Sequence, residues 1–399
     1  MIEEIVTENE FGKGVVKSWA SIIDDATRAQ AAKISRVPVL DGYLALMPDA
    51  HFGFGPPVGS ALRTRRAVMP YAVGVDIGCG MIAVETDLPR EKFAGAEGHI
   101  LGHIRELIPS GVGMSHKRPL PQSEAFVADN GFPGGLSLKA FGGQAADMRR
   151  KAVTQFGTLG AGNHFVEVCE DDRGLVWLLL HSGSRGIGNL LASGHVSIAR
   201  DFCRAHEITL EHWEFSYFPS ETAEAESYLE DMLWAQRYAY AQREAMMDSL
   251  MEAVTRELGP DWNEIQRINC HHNYAERQAD GAWLTRKGAI DASEGRMGII
   301  PGSMGAATYI VRGKGNAESY HTSPHGAGRV MGRNQARKTL DEAAFRRQMA
   351  GLTWLDRDAR KLIDEAPSAY KPIEQVIADS ADLVEPVTVL SQFINYKGL

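Results

Sequence analysis

The chain has 399 residues, 44% of them hydrophobic, enough apolar material to bury one large core or two. Its 42 basic residues stand against 51 acidic ones, a net charge of −9, which excludes a protein that coats nucleic acid through bulk electrostatics but leaves room for a local basic groove. No apolar run approaches the ~20 residues of a membrane span, and the first residues, Met1-Ile2-Glu3-Glu4, are acidic where a signal peptide is basic.

Four cysteines (Cys79, Cys169, Cys203, Cys270) form no C-x-x-C pair and are too few for a disulfide framework. The expectation is a cytoplasmic protein in a reducing compartment. Local basic clusters fall at Arg63 to Arg66, at Arg149 to Lys151, and at Arg329, Arg333, Arg337 and Lys338. Each reads first as a solvated face.

In chain order, Asp24 to Arg36 predicts a helix ended by Pro38, and Val39 to Met47 a strand leading into a loop, Pro48 to Pro57, in which Asp49 and His51 are turn residues. The run Gly74-Val75-Asp76-Ile77-Gly78-Cys79-Gly80 then sets a carboxylate and a thiol three residues apart, between apolar flanks. A buried Asp needs a partner or a metal, and a thiolate is a metal ligand; alone, the pair reads first as a turn-capping Asp beside a core cysteine. Glu91 to Ile108 predicts a helix, and Pro109 to Leu138 a long surface loop.

Phe165 to Val168 and Leu175 to Leu180 read as a hairpin around Glu170-Asp171-Asp172-Arg173-Gly174. Antiparallel pairing with positions summing to about 345 sets His164 beside His181, half of a metal site. A Gly/Ser loop, Ser182 to Gly188, carries Arg185 towards a helix over Asn189 to His206, a setting suited to a phosphate or to an ordinary helix entry. Ala223 to Leu258 has an apolar stripe at helical spacing and stops at Gly259-Pro260, which predicts a long packing helix. In the extended stretch that follows, His271 and His272 point to opposite faces, so at most one joins a shared site. A strand is expected at Thr308 to Arg312, and His325 sits uncrowded between Pro324 and Gly326-Ala327-Gly328.

Asp76, Cys79, His164, His181 and one of the paired histidines are enough ligands for two divalent ions. Thiolate with imidazole leans towards zinc, and the carboxylate widens the choice to manganese or iron. There is no G-x-x-x-x-G-K-[ST] and no K-x-D-G, so a nucleotide attached covalently here needs another nucleophile, with histidine a candidate.

Eight segments in order, Met47-Pro48-Asp49, GVDIGCG, GTLGAGNHF (Gly157 to Phe165), LHSGSRGIGN (Leu180 to Asn189), NCHHN (Asn269 to Asn273), IIPGSMG (Ile299 to Gly305), HGAGR (His325 to Arg329) and Lys397, make the whole chain closely resemble the RtcB family of RNA ligases. The resemblance implies one α+β domain over residues 1–399, with a β-sheet or sandwich core that carries the metal site and helices around it. It implies a 3′-phosphate/5′-hydroxy nucleic acid ligase that uses GTP and two manganese ions to join RNA 3′-phosphate or 2′,3′-cyclic-phosphate ends to 5′-hydroxyl ends, as in tRNA splicing or RNA repair, with room for an activating protein partner. On the same resemblance Asp76, Cys79, His164, His181 and His272 hold the metals, with Cys79 bridging, and His325 is the nucleophile that carries GMP. The implied nucleotide contacts are Asn163, His164, Phe165, Val166, Glu167, His272, Asn273, Pro301, Gly302, Ser303, Met304, Thr308, His325, Gly326, Ala327, Gly328 and Lys397.

Arg185, Arg329 and Arg333 are candidates for phosphate or RNA-end contacts. The chain departs from the family at Thr308, where Ser is common, at Gly332, and around Pro133 to Ser137. A dinuclear phosphoesterase acting on RNA terminal phosphates is the alternative that the same ligands serve, and a binding module without turnover is the third; only the ligase requires a nucleophilic His325.

Overall fold

Two β-sheets face one another across a shared core, and the alternation of their side chains explains why. In the computed structural model, which describes residues 1–133 and 145–398, a seven-stranded sheet runs in the order Glu264–His271, Gly80–Pro89, Leu175–Ser182, Phe165–Glu170, Val384–Lys397, Thr308–Gly313, Met297–Pro301. Successive residues of a strand face opposite sides. Met81 and Ala83 therefore point into the core shared with Ala45, Met47 and Ala61 of the second sheet and with Trp19, which follows one of its strands, together with Trp177, Leu179, Ile268 and Cys270. Ile82 and Val84 point the other way with Val166, Val168, Leu178 and Leu180, against Met246, Met247, Leu250 and Val254 of the long helix and Ile100 and Ile104 of Glu97–Leu107. A sheet buried on both faces reads as a nearly continuous apolar run, as Met81 to Val84 does.

The second sheet has six strands, in the order Glu3–Asn9, Gly12–Ser18, Leu40–His51, Val58–Thr64, Trp283–Lys287, Asn273–Arg277. His272 is the single residue between a strand of one sheet, Glu264–His271, and a strand of the other, Asn273–Arg277. The chain changes sheets at that corner, beside the open ends of Gly80–Pro89 and Leu175–Ser182, and this positions the site.

The long helix forms over Ala223–Leu258 as its spacing predicts, capped by the Thr222 hydroxyl and stopped by Gly259 at φ 82°. Asp24 caps the helix Asp25–Ser35. Elsewhere the chain departs from the sequence reading. The stretch expected as one helix over Glu91 to Ile108 is a 3₁₀ turn, Arg90–Phe93, then a helix, Glu97–Leu107; Gly95 at φ 81° breaks it. Pro109 to Leu138 contains the helix Pro121–Asn130, which starts on proline and ends at Gly131 with φ 65°; the last five positions of that stretch lie outside the described residues. The Gly/Ser stretch before Asn189 is already helix, Arg185–Ala205. The strand Leu40–His51 runs through Asp49 and His51, which are not turn residues.

The basic clusters meet acids. Arg63 and Arg65 reach Asp41 and Asp280, Arg150 and Lys151 reach Asp147, and Arg329, Arg333 and Arg337 converge on Asp364 and Glu365. No helix among the described residues is long and apolar enough to cross a membrane.

Candidate functional site

The Asp76–Cys79 turn docks onto the sheet-changing corner through its backbone. Gly78 N–H donates to Asn273 O at 2.6 Å, and His272 N–H donates to Cys79 O at 2.7 Å. Cys79 Sγ then lies 3.2 Å from His181 Nε2 and 3.5 Å from His164 Nε2, while His164 Nε2 is 3.0 Å from Asp76 Oδ2. Two triads result, Cys79 with His181 and His272, and Asp76 with Cys79 and His164; within each, all ligand atoms lie within 4.8 Å, and Cys79 belongs to both. Gly183 permits this, since a Cβ there would lie 2.1 Å from Asp76 Oδ1.

The proton inventory decides what this cluster is for. His164 Nδ1 faces Leu159 O at 2.9 Å, His181 Nδ1 faces Asn163 O at 3.1 Å, and His272 Nδ1 faces Asn273 Oδ1 at 3.2 Å. Those oxygens only accept, so each ring carries its proton on Nδ1 and turns an Nε2 lone pair inward. His181 Nε2 and His272 Nε2 are 2.8 Å apart. Two lone pairs that converge in this way suit adjacent donors to one cation. A shared proton is disfavoured, because burial holds both rings well below the ordinary histidine range, reinforced by neighbouring histidines. Burial and Asp76 push the Cys79 thiol well up, and a bound cation reverses that by stabilising the thiolate. Neutral imidazoles, a thiol and a carboxylate directed at common points are a metal donor set.

Next to His272, His325 Nδ1 lies 2.6 Å from Asp49 Oδ2, which also accepts the His325 backbone N–H at 3.2 Å. The Asp49 side chain is fully buried. This fixes the proton on Nδ1 and leaves Nε2 as the free nitrogen of a ring whose centroid is 4.5 Å from that of His272. Lys371 holds Asp49 from behind: its Nζ donates to Pro48 O and Ala50 O, both at 2.8 Å, and its backbone N–H to Gly328 O at 2.9 Å. Gly328, at φ 73°, brings the two segments together, since a Cβ there would lie 2.1 Å from Asp49 O.

The cavity holding both groups has a volume of about 510 Å³, within the range of small-molecule sites. Burial raises Glu167 on its wall to about 8, partly opposed by Lys397. Lys397 Nζ in turn binds Glu365 at 2.8 Å and Asn163 O at 3.2 Å. Burial pushes Glu365 up, but Lys397 and Arg333 outweigh it and hold the carboxyl down at about 2.

Comparison with known proteins agrees with this geometry. The family model described as tRNA-splicing ligase RtcB matches residues 30–398. The chain is 35% identical to the RNA-splicing ligase RtcB of Escherichia coli K12 over 415 aligned positions, covering 99% of each protein. The chain belongs to the RtcB family. More distant RtcB relatives include the tRNA-splicing ligases RtcB of Nanoarchaeum equitans, 27% identical over 90% of this chain and 88% of the relative, and of Thermococcus kodakarensis, 27% identical over 88% and 86%.

In this RtcB-family chain the five residues expected as metal ligands meet in the two triads. Of the expected nucleotide contacts, Asn163, Phe165, Glu167, His272, Asn273, Pro301, Gly302, Ser303, Met304, His325, Gly326, Ala327, Gly328 and Lys397 line the cavity. His164 sits behind Cys79. Val166 and Thr308 are off the cavity wall: Val166 packs into the helix-facing core, as strand alternation after Phe165 requires, and Thr308 is fully buried where its strand begins. Arg329 and Arg333 line the cavity; Arg185 does not, and its Nε donates to Thr158 at 3.2 Å. His271 faces away, as predicted, with Nδ1 2.8 Å from Gly78 O.

The hairpin register differs by one from the expected sum: Phe165, not His164, pairs with His181. The two histidines still converge because His164 precedes the strand and escapes its alternation. Sequence reasoning missed Asp49, Lys371, Glu365, and Gln242 and Arg243 on the long helix. Arg243, fully buried, donates to Gly78 O at 2.7 Å and Ser182 O at 3.1 Å, and Gln242 donates to Gly183 O at 2.9 Å, so both support the metal cluster. Only Asp49 left a signal, in Met47-Pro48-Asp49; the others read as ordinary helix or loop residues.

Proposed function

We propose that this chain is a GTP- and manganese-dependent RNA ligase that joins 3′-phosphate or 2′,3′-cyclic-phosphate ends to 5′-hydroxyl ends through a histidine–GMP intermediate on His325. The observation that carries this reading is the buried Asp49–His325 pair at 2.6 Å, which holds the imidazole by Nδ1 at the wall of the cavity that Asp76, His181 and His272 also line. Covalent nucleotidyl transfer requires a nucleophile of this kind, whereas hydrolysis of a terminal phosphate by metal-activated water does not.

His325 Nε2 attacks the α-phosphorus of GTP. An N–P bond forms, the bond from that phosphorus to the β-phosphate oxygen breaks, and pyrophosphate leaves. Asp49 stabilises the positive charge that grows on the ring. A 2′,3′-cyclic end is first opened by water to the 3′-phosphate; a 3′-phosphate oxygen then attacks the guanylyl phosphorus, the N–P bond breaks and His325 is released neutral. The 5′-hydroxyl attacks the activated 3′-phosphate and gives its proton to solvent, the bond from that phosphorus to the guanylyl phosphate oxygen breaks, and GMP departs.

Asp76, Cys79 and His164 would hold one metal ion, and Cys79, His181 and His272 the other; when bound, the ions supply charge neutralisation at the phosphates. Manganese rather than zinc rests on the family resemblance, with Asp76 the donor that suits the harder ion. Lys397, Arg329 and Arg333 line the same cavity, each paired with Glu365 or Asp364. RNA as substrate is supported by the relatives' names, RNA-splicing and tRNA-splicing ligase. Residues 1–399 act as one ligase domain, and four free, buried cysteines suit the reducing cytoplasm.

Incubation with α-labelled GTP and manganese tests this. An acid-labile, alkali-stable protein–GMP adduct is expected, lost in His325→Ala while metal content is kept. Phosphate release without an adduct supports the phosphoesterase, and binding without chemical change supports a non-catalytic module. An adduct that survives His325→Ala refutes the assignment of the nucleophile.

A further inference from the structure

The cavity opens beside a set of aromatic rings that the fold holds in place without burying. Phe52 and Phe54 are 61% and 71% exposed, and Trp213 is 45% exposed. Phe54 lines the cavity and Trp213 lines a neighbouring groove; exposed apolar side chains grouped in this way mark an interaction surface. Their exposure is not a consequence of a loose loop, because the backbone beneath is tied down from three directions. Gln30 donates to Gly53 O and to Gly55 O, the latter at 2.7 Å. Glu214 accepts the Gly55 N–H at 2.6 Å. The buried Lys287 side chain reaches the carbonyls of Phe54 and Tyr71, two aromatic residues that line the cavity.

From there the rings continue outward. Tyr71 meets Trp213 edge to face, centroids 5.7 Å apart at 69°. The guanidinium of Arg200 lies 5.9 Å from the Trp213 ring. Arg200 and Arg204 are one turn apart on the helix Arg185–Ala205, 44% and 73% exposed, and share a single acid, Asp201, at 3.6 Å. Trp213 and both arginines line an open groove next to the rings. Aromatic faces leading from a phosphate-handling cavity to a pair of cations match what a single nucleic-acid strand offers, bases that stack without regard to sequence and a phosphate backbone.

We propose that Phe54, Tyr71 and Trp213, ending at Arg200 and Arg204, form a stacking track for the single-stranded RNA whose end occupies the cavity. The track rests on the ligase reading for its occupant and supplies what net charge −9 does not, a local path for RNA.

The test compares a 12-nucleotide single-stranded RNA 3′-phosphate with its dinucleotide counterpart, using full-length protein with manganese. Trp213→Ala is expected to weaken the 12-mer roughly 10-fold and leave the dinucleotide unchanged; Trp213→Phe restores binding. Arg200→Gln with Arg204→Gln is expected to lower the slope of log affinity against log salt by roughly 1. Labelling of His325 by α-labelled GTP is expected to stay at the wild-type level in all three variants. The track is overturned if the 12-mer binds Trp213→Ala as tightly as wild type, if both RNAs weaken equally, or if the variants lose guanylylation. Failure of the wild-type protein to take label from GTP refutes the ligase reading instead, and the length dependence of RNA binding is measured independently of it.

Discussion

Asp49→Asn isolates the feature on which the proposed chemistry turns. The wild-type carboxylate accepts the Nδ1 proton of His325 at 2.6 Å from a fully buried position. An opposite charge at that separation interacts by about 6 kcal/mol at an effective dielectric near 20, before desolvation is subtracted. A charge-assisted hydrogen bond is worth about 1.5–3 kcal/mol net, a lower bound of roughly tenfold in rate. The amide also presents an NH₂ that favours the Nε2–H tautomer, which removes the attacking lone pair; loss of the correct tautomer costs about 10⁴-fold in the serine-protease triad. The guanylylation rate of Asp49→Asn is therefore expected to fall roughly 10²–10⁴-fold, with metal content unchanged. Single-turnover labelling with α-labelled GTP reads this directly, because it stops before any RNA step. A variant that labels within about threefold of wild type would show that the carboxylate neither sets the tautomer nor stabilises the charged ring, and the orientation argument would fail.

Metal stoichiometry checks the shared thiol: two equivalents are expected for wild type, about one for His164→Ala or His272→Ala, and none for Cys79→Ala, measured by elemental analysis after gel filtration. Equal loss in all three variants would remove the case for a bridging Cys79. Lys371→Met leaves the carbonyls of Pro48 and Ala50 without their donor, at a cost of about 1–3 kcal/mol each, and is expected to slow guanylylation through Asp49. Combined with Asp49→Asn it should add little to the rate loss, and full additivity would place Lys371 outside the Asp49 pathway. Glu365 has its carboxyl held near 2, below the ordinary value, so its stabilising contribution is present above about pH 4.5 and lost as pH falls towards 2. That contribution is about 3 kcal/mol; the Tm gap between wild type and Glu365→Gln should be widest near neutrality and close as pH drops below 4.5. A gap independent of pH would show that the ion cluster with Lys397 and Arg333 does not set it.

The local sequence determined what depends on neighbours along the chain. The helix Ala223–Leu258 is written in its apolar spacing, its Thr222 cap and Gly259. Chemically distinctive residues, the Asp76 and Cys79 pair and the histidines, were legible as candidate metal ligands only as a set, because an acid near a thiol alone reads first as a turn beside a core cysteine. The opposition of His271 and His272 followed from strand alternation alone. The sequence reading went wrong where alternation stops, at His164 just before its strand, and where a polar residue serves a distant partner. Asp49 and His325 are 276 positions apart, and Lys371 and Pro48 are 323 apart. No local pattern encodes such pairs, because the free energy that holds them comes from burial: a carboxylate or ammonium in the interior is tolerated only where the fold returns its hydrogen bonds. Only the folding of two sheets onto one core, with the chain crossing between them at His272, decided which acid, which lysine and which imidazole would meet.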